Sequence, residues 1–171
     1  TAAALKTDGT LWTWGAGGDG KLGQNAVTGS SRSSPVQVGT ETTWAKVQSI
    51  GGAYAFGATK TDGTMWFWGR PVVGSFGNNE GGYPSLYFSS PTQLPGSWHP
   101  THWNGSANAE CAVQAMKNDG TMWVWGENYY GSACQNTNET YYSSPVQIPG
   151  TWTWWNKGSF GGIFVGKKAK E

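Results

Sequence analysis

The sequence predicts an all-β fold, a run of β-propeller blades of about four antiparallel strands each, on three observations. Lys6-Thr-Asp-Gly-Thr-Leu-Trp-Thr-Trp-Gly15 returns as Lys60-Thr-Asp-Gly-Thr-Met-Trp-Phe-Trp-Gly69 and again as Lys117-Asn-Asp-Gly-Thr-Met-Trp-Val-Trp-Gly126. Two further motifs keep the same order at a period of about 55 residues: Ser33-Ser34-Pro35-Val36-Gln37, Ser89-Ser90-Pro91-Thr92-Gln93 and Ser143-Ser144-Pro145-Val146-Gln147, followed by Trp44, Trp98 and Trp152. Helical periodicity is nearly absent, because Gly, Pro and β-forming residues interrupt every stretch that might carry it.

The first element of each copy is a hairpin. Asp8-Gly9, Asp62-Gly63 and Asp119-Gly120 sit between apolar residues, the usual sequence of a two-residue turn with positive φ. That loop length sets Leu5 opposite Trp12, Thr59 opposite Trp66 and Met116 opposite Trp123. Strand alternation then places Trp12 with Trp14, Trp66 with Trp68 and Trp123 with Trp125 on one face. The same register puts Ala4, Ala58 and Ala115 on the other face. Bulk on both faces suits a sheet stacked between two neighbours.

A glycine-rich loop follows each hairpin, over 15–23, 69–77 and 126–134. The Ser-Ser-Pro segment then leads into a short strand such as Val36-Gln37-Val38. The stretch from Trp44 to Ile50 alternates in part and is expected to be a further strand. The repeat periods run 6–59, 60–116 and 117–169. A fourth copy starts at the end, where Gly161-Gly162 precedes Lys170 as Gly51-Gly52 precedes Lys60. Three periods of a longer array are expected.

The order Asp-Gly-Thr-x-Trp-x-Trp-Gly, then Gly20-Lys21-Leu22-Gly23 or Gly74-Ser75-Phe76-Gly77, then Ser-Ser-Pro-x-Gln, resembles the regulator of chromosome condensation repeat. The resemblance covers nearly the whole chain and implies propellers of about seven blades. It also implies a bacterial or phage-type variant, since such repeats occur in bacterial surface and phage structural proteins. Gly131-Ser132-Ala133-Cys134 departs from the loop pattern, and the histidine that usually precedes the hairpin strand is missing from every copy.

Composition narrows the function. The chain has 171 residues, 12 Trp, 7 Tyr, 6 Phe and 27 Gly, with 12% charged residues and a net charge of +1. So little charge excludes a broad electrostatic footprint, and with it nucleic acid as a partner. No apolar run approaches the roughly 18 residues of a spanning helix, so membrane insertion is not expected. Asp8, Asp62 and Asp119 belong to turns, and the remaining acids form no pair suited to general acid-base work. His99 and His102 lie in a Pro-containing loop without a nearby Cys or carboxylate, so no metal and no cofactor is expected. Cys111 and Cys134 are expected as free thiols. The chain is therefore expected not to be an enzyme.

Nine of the twelve Trp hold repeat positions: Trp12, Trp14, Trp44, Trp66, Trp68, Trp98, Trp123, Trp125 and Trp152. Together with the Asp-Gly pairs they read as the blade framework. Trp103, Trp154 and Trp155 fall outside the register and are candidates for surface binding. The loops add Tyr83, Tyr87, Phe88, Tyr129, Tyr130, Tyr141 and Tyr142; Tyr129, Tyr130, Tyr141 and Tyr142 join the candidate binding set, because tyrosine in polar loops suits recognition.

The expected function is a non-enzymatic structural or interaction propeller, on a virion as a bacteriophage capsid or tail appendage, or on a cell surface. Its expected partners are proteins, namely flanking blades of the same chain or symmetry-related copies, with surface glycans as a second class. Two alternatives are a carbohydrate-binding, lectin-like propeller and an intracellular regulator resembling a guanine-nucleotide exchange factor. Three blades form an open arc with two bulky faces bare, and exposed apolar patches beyond a few hundred Å² are rare on monomers. Residues 1–171 expressed alone should therefore self-associate or melt without cooperativity. Sedimentation showing a monodisperse monomer with a cooperative melt would count against the open arc.

Overall fold

The computed structural model describes residues 1–26, 31–52, 54–80, 87–106, 111–129, 131–137, 139–150, 152–156 and 165–168; from residue 151 on, only Trp152 has a described side chain. The described chain is almost entirely strand and turn. Blade 1 holds β1 (Ala2–Leu5), β2 (Leu11–Gly15) and β3 (Arg32–Gln37). Blade 2 holds β4 (Trp44–Ile50), β5 (Ala55–Lys60), β6 (Met65–Gly69) and β7 (Phe88–Leu94) in sequential order. Blade 3 repeats that order with β8 (Trp98–Gly105), β9 (Val113–Lys117), β10 (Met122–Glu127) and β11 (Tyr141–Ile148). A two-stranded sheet of β12 (Trp152–Asn156) and β13 (Val165–Lys168) follows. Every pairing is antiparallel, and a strand that opens on Trp44 is present as expected. A repeat counted from its lysine straddles two sheets, because each blade opens at Trp44 or Trp98.

The hairpin turn is one residue longer than the sequence predicts. Trp12 faces Ala4 rather than Leu5, Trp66 faces Ala58 rather than Thr59, and Trp123 faces Ala115 rather than Met116. Gly9 N donates to Lys6 O at 3.0 Å and Lys6 N to Thr10 O at 3.0 Å, so Thr7, Asp8 and Gly9 all lie in the loop. Of these, only Gly9 takes a positive φ, 79°. A tight turn closed by a left-handed glycine is the common three-residue hairpin loop. Asp8 is needed for its side chain, not for its backbone. Its Oδ1 accepts from Thr10 N at 3.0 Å and Thr10 Oγ1 at 2.6 Å, and Thr10 Oγ1 in turn accepts from Trp12 Nε1 at 2.8 Å. The same three bonds recur at Asp62 and Asp119. The one-residue slip moves Ala4, Ala58 and Ala115 onto the Trp face, opposite to the expectation.

Blades pack face to face. The Trp face of blade 2, with Phe56, Ala58 and Trp68, meets Leu11 and Val38 of blade 1. Its other face, with Ile50, Met65 and Phe67, meets Trp98, Trp103 and Trp125 of blade 3. Trp68 and Trp125 are fully buried. Each indole N–H reaches a loop carbonyl of the blade before it: Trp68 Nε1 donates to Lys21 O at 3.0 Å, and Trp125 Nε1 to Ser75 O at 2.9 Å. Glycine at 23 and 77 makes room for them. A methyl group there would lie 3.2 Å from the Trp68 ring and 3.1 Å from the Trp125 ring, on backbones with φ of 65° and 66°.

Backbone bonds stitch the other end of each seam. Trp44 N donates to Gly9 O at 3.2 Å, Trp98 N to Gly63 O at 2.8 Å and Trp152 N to Gly120 O at 2.9 Å. Each Asp-Gly turn thus holds the first strand of the following blade.

Trp125→Ala should destabilise the fold by about 3–5 kcal/mol, the usual cost of emptying a tryptophan site. Gly77→Ala should cost more than about 1 kcal/mol through the left-handed backbone and the ring contact together. Denaturant melts of the two variants check both figures.

Candidate functional site

Each blade has two ends. The Asp-Gly turns lie at one, and the long loops after β2, β6 and β10 leave from the other. Three tyrosines are exposed at that loop end: Tyr54 between β4 and β5, Tyr87 just before β7, and Tyr129 just after β10, with exposures of 46%, 39% and 65%. Tyr129 lines a shallow depression of about 270 Å³ with Asn128, Thr137 and Glu139. Asn128 shapes the loop there, its side chain donating to Glu139 O at 2.8 Å and accepting from Ala133 N at 2.9 Å. Tyr141 and Tyr142 open β11 beside the loop and are half-buried. Tyr142 packs against the blade 2–3 core and hydrogen-bonds Thr137 through its hydroxyl. Of the expected binding tyrosines among the described residues, Tyr129 is the exposed one. Tyr130 and Tyr83 lie outside the described residues, as do the side chains of Trp154 and Trp155 in β12.

Trp103 is a correction: it is buried at 0% exposure, not on the surface. The pairing of β8 with β9 steps from Trp98↔Lys117 to Trp103↔Ala115, so the residues between form a bulge. His99 and His102 therefore lie within β8 and not in a loop, with ring centres 3.7 Å apart. The bulge drives Trp103 into the seam between blades 2 and 3. There its Nε1 donates to Thr59 Oγ1 at 2.9 Å, and the ammonium of Lys46 sits 4.8 Å from its ring centre. Gly57 clears the space, since a methyl group there would lie 3.0 Å from the Trp103 ring. Trp103 takes the place that Val47 holds in blade 2, so no tryptophan recurs there in the repeat.

Electrostatics at both ends is mild. Asp8, Asp62 and Asp119 are held below the usual carboxylate range, chiefly by hydrogen bonds from Thr10, Thr64 and Thr121. Such carboxylates add stability above their unfolded pKa and lose it as the pH falls through the folded value. They serve the turns. Burial lowers both His99 and His102, helped by the mutual histidine charge at His99 and by Lys46 at His102. Among the described residues no group of three His, Cys, Asp or Glu converges on a metal site. Tyr54 carries no mark in the sequence, where the Gly51-Gly52 before it serves only as a marker of the repeat's phase.

Residues 8–58 match the regulator of chromosome condensation (RCC1) repeat. No curated protein matches the chain in sequence. Among solved structures, human WBSCR16 superposes with a TM-score of 0.70 at 18% identity, over 91% of this chain and 40% of its own. Prp20p from Saccharomyces cerevisiae, described with its binding properties to Gsp1p and histones, gives 0.69 at 17% identity, over 87% of this chain and 36% of its own. Yeast RCC1 (Prp20) with Kap60 bound to it gives 0.67 at 16% identity, over 90% and 37%. The chain thus spans less than half the length of these relatives in fold. Its sheets share the propeller-blade fold of these structures, and the described chain is part of a propeller.

The two thiols differ sharply. Cys111 is buried against Val72 and Val73 and its pKa is pushed up to about 12, first by burial and then by the Glu127 charge. Cys134 is exposed, and neither cysteine forms a disulfide. A thiol reagent at pH 8 should label one cysteine in the folded protein and two after denaturation. Two labels in the native state would contradict the burial of Cys111.

Proposed function

We propose that this chain is a stretch of a non-catalytic RCC1-type propeller that binds a partner protein at the loop end of its blades. The observation that carries the reading is the common exposure of Tyr54, Tyr87 and Tyr129 at that end. Tyrosine offers a large amphipathic contact with few rotatable bonds, and loops on a rigid sheet scaffold are the usual seat of recognition. The two yeast structures of the same fold are described with protein partners, which supports protein binding as the general mode. The turn carboxylates are committed to structure, which supports a role without turnover.

A second reading, an intracellular regulator resembling a guanine-nucleotide exchange factor, is favoured by the likeness in fold to Prp20p. Acceleration of nucleotide release from a small GTPase by the purified protein tests it. Placement on a virion or a cell surface rests on composition and on the resemblance in sequence, and neither it nor glycan binding by the loop tyrosines draws support from the comparisons.

The test pairs two aromatic variants. A photo-crosslinking residue at position 129 should capture one protein reproducibly. Tyr129→Ala should weaken that complex by about tenfold, or about 1.4 kcal/mol, and leave the melting temperature unchanged. Trp103→Ala should lower the melting temperature. Equal binding by wild type and Tyr129→Ala would refute the loop-end reading.

A further inference from the structure

The seam between blades 1 and 2 holds a cleft of about 480 Å³ that runs from the connection before Trp44 to the loop carrying Asn25. That lies in the size range of small-molecule sites. Its walls include Asn25, Glu41, Trp44, Lys60, Trp66 and Ser90. It owes its existence to a difference between copies. Val38 and Trp44 are joined by five residues, Gly39-Thr-Glu41-Thr-Thr43, while Leu94 and Trp98 are joined by three, Pro95-Gly96-Ser97. In the shorter connection Gly96 lies against the indole, where a methyl group would sit 2.9 Å from Trp98 Nε1. In the longer one Gly39 faces open space. The two extra residues lift the chain off the seam and bring a carboxylate to it.

That carboxylate changes the chemistry of the cleft. Glu41 Oε2 lies 2.7 Å from the ammonium of Lys60, which is buried and lies 4.2 Å from the Trp66 ring centre and 4.9 Å from that of Trp44. At the equivalent place in blade 3, Lys117 lies 4.0 Å from the Trp123 ring centre, and the connection there carries no acid. Opposite charges compensate within the cleft, so neither an anion nor a cation is selected. Hydrogen-bonding groups of both kinds are on offer. Glu41 is half-exposed and presents an acceptor. Asn25 accepts from Ser90 Oγ at 3.3 Å through its oxygen, which leaves its amide N–H groups to donate. Beside them lie the half-buried ring of Trp66 and the ring of Pro91.

We propose that this cleft binds an uncharged pyranose ring, the class of ligand that combines hydroxyls able both to donate and to accept with an apolar C–H face. The hydroxyls pair with Glu41 and Asn25, and the C–H face lies against Trp66. This site is independent of the loop-end tyrosines and of the protein binding proposed for them.

The experiment follows the tryptophan indole N–H signals of the ¹⁵N-labelled full chain by NMR. The probes are methyl glucoside, methyl galactoside, methyl mannoside and N-acetylglucosamine. At least one should shift the Trp66 signal with a Kd of about 1 mM, while the Trp123 signal stays put. Glu41→Gln and Asn25→Ala should each weaken that sugar by about tenfold. Thr40→Trp, which fills the cleft from an exposed position, should abolish binding without loss of fold. No shift with any sugar at about 100 mM would overturn the proposal, as would shifts that the three variants leave unchanged. Stronger shifts with acetate, butylammonium or N-acetylglutamine amide would overturn it in favour of an ionic or peptide ligand.

Discussion

The structure depends on one contact made twice: an indole laid on a glycine. Trp68 on Gly23 and Trp125 on Gly77 close the seams between consecutive blades, and each ring hands its N–H to a carbonyl in the same loop. A sheet with bulk on both faces cannot stand alone in water, so the seams and not the strands decide the architecture. The loop that accepts the ring is held in turn by the next blade, with Asn25 N donating to Ser89 O and Asn79 N to Ser143 O, each at 2.8 Å. Ring, glycine and loop form one unit. Gly131-Ser132-Ala133-Cys134 breaks that unit, because Cys134 takes φ of 53° and carries a side chain where Gly23 and Gly77 carry none. An indole placed as Trp68 is placed would meet the Cys134 side chain.

The blade count, strand order and framework residues were legible in the sequence because they repeat. Periodicity averages out local ambiguity: Asp-Gly-Thr before two alternating tryptophans means the same thing at 8, 62 and 119. The register was not legible, and the reason is local. Asp-Gly fits both a two-residue and a three-residue turn, and the choice falls to the threonine that follows. Its backbone N–H and hydroxyl both go to the aspartate, which fixes the longer loop and turns every cross-strand pair by one position. Non-repeating features were the least legible. Trp103 looked free because its counterpart in blade 2 is Val47, so no tryptophan recurs there, yet the position faces the seam, opposite Gly57. The exposure of Tyr129 was readable from its polar loop, whereas that of Tyr54 had no sequence mark at all.

The pairing of rings with cations adds a second, quieter layer of order. Lys6 sits 3.8 Å from the Trp12 ring centre, Lys60 4.2 Å from that of Trp66 and Lys117 4.0 Å from that of Trp123. Each lysine stands at the end of the first hairpin strand, beside the indole that the aspartate and threonine have oriented. A cation over an aromatic face is worth about 0.5–2 kcal/mol depending on desolvation. In each of the three hairpins one lysine thus helps to hold the tryptophan that the turn has oriented.

The bonds from Trp44 N, Trp98 N and Trp152 N to the turn glycines have a mechanical consequence. Each joins the tip of one sheet to the entry of the next across a connection of only a few residues. Tension along the backbone therefore loads these bonds, with the ring-on-glycine contacts of the same seams, before it reaches the many ladder bonds inside a sheet.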